Sequence, residues 1–317
     1  MAQPCAGVYP SRCLDSADVS ASFRPSGVLV PLVTPFAVGG AVDLGALRGL
    51  AEQALGAGAA GLVALATTGE PTSLDDGERA AVVAVCAEVC AQHGGALVVG
   101  AGTNDTRTTI LRHEALADVP GVAASLAVVP YYVRPSEAAI VRHFQAVAER
   151  SPVPLIAYNI PYRTGRGLGA DALIELAATP NVAGVKQAVG SIDADTLRVL
   201  AAVRETFAVL GGDDAFLFPL MLMGAAGAIA ASANLCTSRF VEMIECGRRG
   251  DREGGRAHAE ALLPLVQALF AEPSPAVIKA LLHAQGRIPT AALRMPLADA
   301  TPPARERGLA ALGAAER

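Results

Sequence analysis

Short apolar runs recur along the chain, and amphipathic stretches separate them. A strand that is buried on both faces reads as a nearly continuous apolar segment, as in parallel sheets covered by helices. The pattern therefore predicts eight buried strands, at residues 27–33, 61–66, 96–101, 123–129, 153–158, 182–186, 207–212 and 227–231.

The stretches between these runs carry the periodicity and the start signals of helices. Residues 74–93 open with acidic side chains, which suit the first turn of a helix. Residues 135–150 open with Pro135 and Ser136, which favour a helix start. Strands that alternate with helices in this way predict a (β/α)8 TIM barrel over residues 26–250. A doubly wound sheet is the alternative, although such sheets usually have fewer strands.

The two ends of the chain depart from this alternation. After about residue 250 the strand signal stops, and we expect a C-terminal helical region over residues 251–317. Its helical patterns lie at 255–270, 275–285 and 302–316. Residues 1–25 lack the basic start and the apolar core of a signal peptide. We interpret them as a flexible N-terminal extension, and we expect a cytoplasmic location.

One uncharged segment, residues 215–235, is long enough to span a bilayer. Pro219, Gly224 and Gly227 interrupt it, and polar residues lie at its end. These interruptions favour a buried helix, a glycine turn and a buried strand over a membrane span. No membrane partner is therefore expected.

Composition narrows the classes of function. Hydrophobic residues make up 52% of the chain and charged residues 17%, which predicts a folded protein rather than a disordered one. The net charge of -5, with 4% aromatic residues and no basic patch, argues against a nucleic-acid partner.

Neither a metal ion nor an organic cofactor is predicted. The six cysteines are scattered without the spacing of a zinc site, and the five histidines fall in or beside helical stretches. The glycine run at residues 56–61 precedes a strand, whereas a dinucleotide-binding loop follows one. We interpret these glycines as the end of a helix.

The carboxyl ends of the predicted strands share a set of polar residues. Active sites of (β/α)8 barrels lie at this end. The polar residues are Thr67, Thr68, Glu70, Thr103, Asn104, Tyr131, Tyr132, Tyr158, Asn159, Arg163, Lys186, Asp213, Asp214, Ser232 and Asn234. Their side chains can handle protons and carboxylates, so the sequence predicts one polar rim that carries the function.

Lysine is rare in this chain, since only Lys186 and Lys279 occur among 25 lysines and arginines. Lys186 ends the sixth predicted strand. A lysine in a dry barrel interior is disfavoured as an ammonium, so its pKa falls and its neutral amine can form an imine with a carbonyl compound. Arginine stays protonated and cannot form one. The alternative is a strand-end lysine that reaches water, and position alone does not decide between the two.

A series of motifs runs along the strands and their ends. They are VPLVTPF, TTGEPTSL, AGTNDT, VVPYYVRPS, YNIPYRTG, GVKQAVGS, GGDDA and GAIAASANL, followed by EPSPAVIK. In this order they resemble the dihydrodipicolinate synthase / N-acetylneuraminate lyase family, over most of the chain. The resemblance implies that Lys186 forms an imine with pyruvate and that Tyr158 relays protons to and from this imine.

The resemblance also implies the substrate contacts. Thr67 is similar to the threonine that links the proton relay to a second tyrosine, Tyr132, which in the family reaches in from a neighbouring subunit. Thr67 and Thr68 resemble the clamp on the pyruvate carboxylate. Arg163 matches the arginine that binds the carboxylate of the aldehyde partner in the synthase branch, and Ile229 is expected at the substrate.

The implied reaction condenses pyruvate with L-aspartate 4-semialdehyde in lysine biosynthesis. The implied assembly is a homotetramer or a homodimer, without a cofactor. Lys279 matches a lysine of the family's C-terminal helices, which implies a structural role. Ala66, Gln187 and Val189 depart from the family pattern, so the resemblance does not decide which substrate is used. Two alternatives remain: a related pyruvate-dependent aldolase or dehydratase that acts on another 2-keto acid, and a catalytically idle regulatory barrel.

Overall fold

A closed parallel barrel forms the centre of the molecule. The computed structural model describes residues 23–203 and 207–317, so most of the predicted extension at 1–25 lies outside the described residues. Each strand pairs in parallel with the strands before and after it, and β8 pairs with β1. The strands are β1 Gly27–Pro31, β2 Gly61–Ala64, β3 Ala96–Gly100, β4 Val122–Val128, β5 Leu155–Asn159, β6 Val182–Gln187, β7 Ala208–Gly211 and β8 Gly227–Ile229. The predicted (β/α)8 barrel is therefore confirmed, and the doubly wound alternative is wrong.

Helices follow the strands and cover the outside of the barrel. They are α1 Leu44–Gly56, α2 Asp76–His93, α3 Thr106–Glu114, α4 Glu137–Arg150, α5 Pro161–Thr164, α6 Ala170–Ala177, α7 Ala194–Val203, α8 Leu217–Leu222, α9 Thr237–Arg249, α10 Arg252–Leu269, α11 Ala276–Ala284 and α12 Pro302–Ala315. Side-chain caps fix where several of them begin. Asp75 and Glu78 cap α2 reciprocally, and Ser136 accepts a hydrogen bond at the start of α4.

The uncharged segment at residues 215–235 folds inside the molecule. It contains helix α8, a turn at Gly224 with a φ of 99°, and strand β8. Gly224 suits this turn because a positive φ is accessible to glycine without steric cost. The interpretation as a helix, a turn and a strand is therefore correct. None of the described helices is long and apolar enough to cross a membrane.

Side chains fill the barrel interior. Alternate residues of the strands point inward, and they form one apolar cluster. This interior cluster contains Leu29, Val63, Ala66, Val98, Ala124, Leu126, Ile156, Tyr158, Ile160, Ala188, Leu210 and Ile229. The residues between them point outward and pack against the helices in a second, larger cluster. The interior is therefore dry below the carboxyl ends of the strands.

A C-terminal helical addition follows the barrel, as the sequence predicts. Helix α10 packs against α9 and α12, and α11 packs against α10 and α12. Lys279 of α11 reaches back to the barrel, where its Nζ lies 2.8 Å from Glu70 Oε1 and 3.0 Å from the Thr34 carbonyl oxygen. The addition thereby contacts the turn that follows β2. The division of the chain at residue 250 remains a proposal.

Candidate active site

Lys186 and Tyr158 stand side by side at the carboxyl ends of β6 and β5. They are partners in the register of the two strands, and both side chains face the barrel interior. The Lys186 Nζ atom lies 4.3 Å from the centroid of the Tyr158 ring. Only 5% of Lys186 and 6% of Tyr158 remain exposed. An amine and a phenol are thus held together in a water-poor environment.

Burial decides the protonation of both groups. It penalises the ammonium form and lowers the pKa of Lys186 to about 8, while the carboxylates of Asp214 and Asp213 act in the opposite direction. Part of the amine is therefore neutral at mildly alkaline pH. Burial also raises the pKa of Tyr158, against the effect of the neighbouring Thr67 side chain. The phenol thus keeps its proton and can donate it.

A cleft of about 700 Å³ opens beside Tyr158, whereas Lys186 is not part of the cleft wall. Its walls include Ala66, Thr67, Tyr131, Tyr158 and Arg163. The cleft lies at the carboxyl ends of the strands, where the polar rim was predicted. It is large enough for a substrate of a few carbon atoms, and it offers hydroxyl groups and a guanidinium to a carboxylate.

The turn after β2 brings Thr67, but not Thr68, to the wall of the cleft. Thr67 is exposed and lines the cleft, whereas Thr68 is buried within the turn. Two residues of this turn, Leu65 and Glu70, have left-handed backbone conformations with φ of 56° and 53°. Such conformations are unfavourable for residues other than glycine, and they persist where surrounding contacts hold them.

Contacts from distant segments hold this turn in place. Thr34 Oγ1 donates a hydrogen bond of 2.7 Å to the Gly69 carbonyl oxygen. The Glu70 carboxylate accepts hydrogen bonds from Lys279 Nζ at 2.8 Å and from Arg294 N at 3.0 Å. Lys279 therefore has a structural contact that also fixes the position of Thr67.

Arg163 stands at the mouth of the cleft on the short helix α5. Its Nε donates to the Tyr162 hydroxyl at 3.3 Å, and its guanidinium carbon lies 5.3 Å from the centre of the Tyr162 ring. The loop beyond α5 is fixed by Asn159, whose Nδ2 donates to the Leu168 carbonyl oxygen at 3.0 Å. Arg163 is exposed, and the guanidinium nitrogens other than Nε can bind an incoming carboxylate.

Four predicted site residues are not part of the cleft wall: Lys186 and Thr68, which are described above, and Ile229 and Tyr132. Ile229 is fully buried on β8 and belongs to the interior cluster with Tyr158. Tyr132 is 87% exposed, with a left-handed backbone at a φ of 70°. Its neighbour Tyr131 lines the cleft instead. Within one subunit, the structure thus brings Tyr158, Thr67 and Arg163 together and leaves Tyr132 on the surface.

Gln187, which departs from the family pattern, faces away from the cleft. It follows Lys186 on β6, so its side chain points toward the helices. Its Oε1 accepts a hydrogen bond of 3.0 Å from Asn159 Nδ2, and its Nε2 donates to Thr196 Oγ1 of α7 at 3.0 Å. Gln187 therefore holds strands and helix together and does not select a substrate by direct contact.

Asp214 and Ser232 are two further residues of the predicted polar rim, to which the sequence assigns no function. Both are buried in the structure. The structure places Asp214 after β7, with an Oδ2 that accepts a hydrogen bond of 2.7 Å from Ser232 N. Burial raises the pKa of Asp214. The GGDDA motif in the sequence was the one signal that could have pointed to this carboxylate.

Comparisons with known proteins agree with this geometry. The model of the Dihydrodipicolinate synthetase family matches residues 24–315. The 4-hydroxy-tetrahydrodipicolinate synthase of Moorella thermoacetica is 36% identical over 286 residues, which cover 90% of this chain and 96% of the relative. That of Neisseria meningitidis serogroup C is 36% identical over 275 residues, which cover 87% of this chain and 93% of the relative.

Solved structures resemble the whole fold. The dihydrodipicolinate synthase of Thermotoga maritima has a TM-score of 0.88 at 30% identity, and the match covers 92% of this chain and 98% of that one. The enzyme from Acinetobacter baumannii, solved in complex with pyruvate, has a TM-score of 0.88 at 33% identity, with coverage of 92% and 99%.

Proposed function

Because this chain belongs to the dihydrodipicolinate synthetase family, we propose that it condenses pyruvate with L-aspartate 4-semialdehyde to 4-hydroxy-tetrahydrodipicolinate, through an imine on Lys186. The enzyme is a lyase of lysine biosynthesis. One observation carries the proposed mechanism: Lys186 is buried, its pKa is lowered to about 8, and its amine lies against the phenol ring of Tyr158.

The first half of the reaction uses the neutral amine of Lys186. The amine attacks the keto carbon of pyruvate, and the carbonyl oxygen leaves as water. Tyr158 lines the cleft beside the amine and keeps its proton, so it is suited to supply that proton to the leaving oxygen and to take one back. Thr67 and Thr68 would hold the pyruvate carboxylate with hydroxyl and backbone N–H groups.

The second half joins two carbon chains. The imine loses a proton from the methyl group of pyruvate, and the resulting enamine carbon attacks the aldehyde. Arg163 at the cleft mouth would bind the carboxylate of the semialdehyde and orient its aldehyde toward the enamine. The amino group of the new chain then displaces Lys186 as the ring closes.

Ile229 and Tyr132 belong to the proposal in different ways. Ile229 would form the floor of the site, since it packs in the same interior cluster as Tyr158. Tyr132 and Val133 are 87% and 59% exposed, which would suit a subunit interface where Tyr132 completes the site of a neighbour. This part of the proposal requires a homodimer or a homotetramer. A cytoplasmic location remains a prediction.

A substrate comparison tests the proposed function. Purified enzyme is given pyruvate with L-aspartate 4-semialdehyde, or pyruvate with an uncharged sugar aldehyde, and the loss of pyruvate is measured in timed samples. We expect turnover with the semialdehyde and little with the sugar. Preference for the sugar would favour the aldolase alternative, for which Arg163 has no evident use. Absence of turnover with every aldehyde would favour the idle barrel.

A further inference from the structure

Two buried polar atoms at the ends of β7 and β8 have no hydrogen-bond partner. Asp214 and Ser232 are 5% and 0% exposed. Asp214 Oδ2 accepts a hydrogen bond from Ser232 N, whereas among the described residues Asp214 Oδ1 and Ser232 Oγ have no partner in good hydrogen-bond geometry. The Ser232 side chain is nevertheless close enough to lower the pKa of Asp214. A buried polar atom without a partner is destabilising, so a carboxylate kept in this state suggests a use in the chemistry.

The end of β7 lies directly against the Lys186 side chain. Lys186 pairs with Leu210 in the strand register, and Gly212 N donates a hydrogen bond of 2.8 Å to the Gln187 carbonyl oxygen. A Cβ atom added to Gly212 would lie only 2.8 Å from Lys186 Cε. A residue without a side chain is therefore favoured here, and the two residues that follow Gly212 are close enough for their carboxylates to raise the pKa of Lys186.

Those two residues are aspartates whose carboxylates are held by backbone N–H groups. Asp213 Oδ2 accepts from Gly190 N at 2.7 Å, on the β6 side. Asp214 Oδ2 accepts from Ser232 N at 2.7 Å, on the β8 side. Among the described residues, neither carboxylate forms an ion pair with Lys186 within 4.0 Å. Each carboxylate is therefore fixed near the amine without immobilising it.

We propose that Asp214 is the counter-ion of the cationic imine on Lys186, a positioning role that rests on the proposed function. When the imine forms, the Lys186 nitrogen bonds to the keto carbon of pyruvate and the C–O bond breaks. Of the two protons of the amine, one stays on nitrogen. The other leaves with the oxygen as water, together with one proton taken up from solution. The nitrogen is then a buried cation, which needs a nearby negative charge.

The other charged groups around Lys186 do not fill this role equally well. Arg163 is a cation and disfavours a second positive charge. Tyr158 keeps its proton and carries no charge. Asp213 is only half-buried, so water screens its charge more than that of Asp214. Asp214 is the more buried of the two carboxyl groups, and a cation on Lys186 favours its ionised form because the Lys186 charge lowers the pKa of Asp214 against the effect of burial.

Asp214→Asn tests the assignment because it keeps the shape of the side chain and removes its charge. Two quantities are measured by borohydride trapping and mass spectrometry: the pH midpoint of the initial rate of imine formation, and the pyruvate concentration at half-maximal labelling. A carboxylate a few ångströms away raises the pKa of an amine by about one unit or more, so the midpoint should fall by about that much. Above the midpoint the free amine is neutral, and the carboxylate stabilises only the cationic imine. Half-maximal labelling measured at such a pH should therefore need roughly tenfold more pyruvate.

These two effects have opposite directions, which a general structural defect would not produce. Imine formation at low pH becomes faster in Asp214→Asn, while the imine itself becomes weaker. Ser232→Ala is the matched control, since it alters the same pocket, keeps the backbone N–H and preserves the charge. Its pH midpoint should shift much less than that of Asp214→Asn, since the carboxyl group remains although it loses the Ser232 side chain that lowers its pKa. Asp213→Asn should shift the midpoint less than Asp214→Asn does.

The outcomes separate this inference from the proposed function. If wild-type enzyme traps no pyruvate on Lys186, the proposed function fails. If wild-type enzyme traps pyruvate and Asp214→Asn keeps both the wild-type midpoint and the wild-type pyruvate dependence, the counter-ion assignment alone is overturned. A midpoint shift of equal size in Ser232→Ala would also overturn it, because the charge would not be the cause.

Discussion

Lys279 and Glu70 form an ion pair of 2.8 Å with side chains that are 0% and 1% exposed. The pair joins α11 to the turn that carries Thr67, across 209 positions of the sequence. Burial lowers the pKa of Lys279, and the Glu70 carboxylate opposes that effect. The second lysine of the chain thus stabilises the turn that carries Thr67, whereas the first carries the amine that we propose to be reactive.

Replacing Lys279 should destabilise the fold. Lys279→Met removes the ion-pair partner of the buried Glu70 carboxylate, which then keeps the hydrogen bond from Arg294 N but no buried cation. Loss of one partner of a buried ion pair costs about 3–5 kcal/mol of the free energy of unfolding. Equilibrium unfolding in urea measures this loss. The matched control is Arg198→Met, which removes an ion pair of 2.7 Å whose side chains are 56% and 88% exposed. That control should cost about 1 kcal/mol or less. Equal losses in the two variants would show that burial of the Lys279 pair has no special effect.

Replacing Arg163 should impair use of the aldehyde far more than use of pyruvate. Loss of a charged hydrogen bond to the semialdehyde carboxylate costs about 1.5–3 kcal/mol, so kcat/KM for the aldehyde should fall roughly 10- to 150-fold in Arg163→Ala. Imine formation with pyruvate should change little. The control is Arg166→Ala, which replaces an exposed arginine in the loop that follows α5. Unchanged aldehyde kinetics in Arg163→Ala would remove this residue from the site.

Tyr158→Phe should separate imine formation from turnover. The ring that packs beside Lys186 stays, while the proton-donating hydroxyl is lost. General acid–base catalysis contributes about 10²- to 10⁴-fold, so kcat should fall within that range. Trapping of pyruvate on Lys186 should still be detectable after longer incubation. A variant with wild-type kcat would show that another group moves the proton.

The rate of imine formation should rise with pH through about 8. Burial lowers the pKa of Lys186 from 10.5 to about 8, and only the deprotonated amine attacks pyruvate. The amine is protonated and unreactive below this value, and neutral above it. Initial labelling rates over about pH 6 to 10 measure the midpoint. A midpoint near 10.5 would mean that the amine is solvated as in a free lysine.

The barrel could be predicted from the sequence, because each strand is buried on both faces and therefore appears as an apolar run. The sequence also predicts that Lys186 ends such a run, but position alone does not decide whether its amine is buried or reaches water. The inward position of Lys186 even fixes the outward position of Gln187, since side chains alternate along a strand. The doubt about the substrate that Gln187 raised could therefore have been reduced from the sequence itself.

Other features depend on contacts that no local pattern carries. The Glu70 ion pair joins segments that are far apart in the chain, and the left-handed backbone of Glu70 has no signature in its residue type. Tyr131 and Tyr132 lie in an irregular loop where alternation does not apply. Only the backbone conformation decides that Tyr131 faces the cleft and that Tyr132 faces outward.

Borohydride reduction in the presence of pyruvate tests the central claim most directly. We expect one reduced pyruvate per chain, mapped by peptide mass spectrometry to Lys186, and none in Lys186→Arg, whose guanidinium cannot form the imine. Lys279 is the internal control, since it is the second lysine of the chain and is held by Glu70. Label on Lys279, or no label on the wild-type enzyme, would contradict the account.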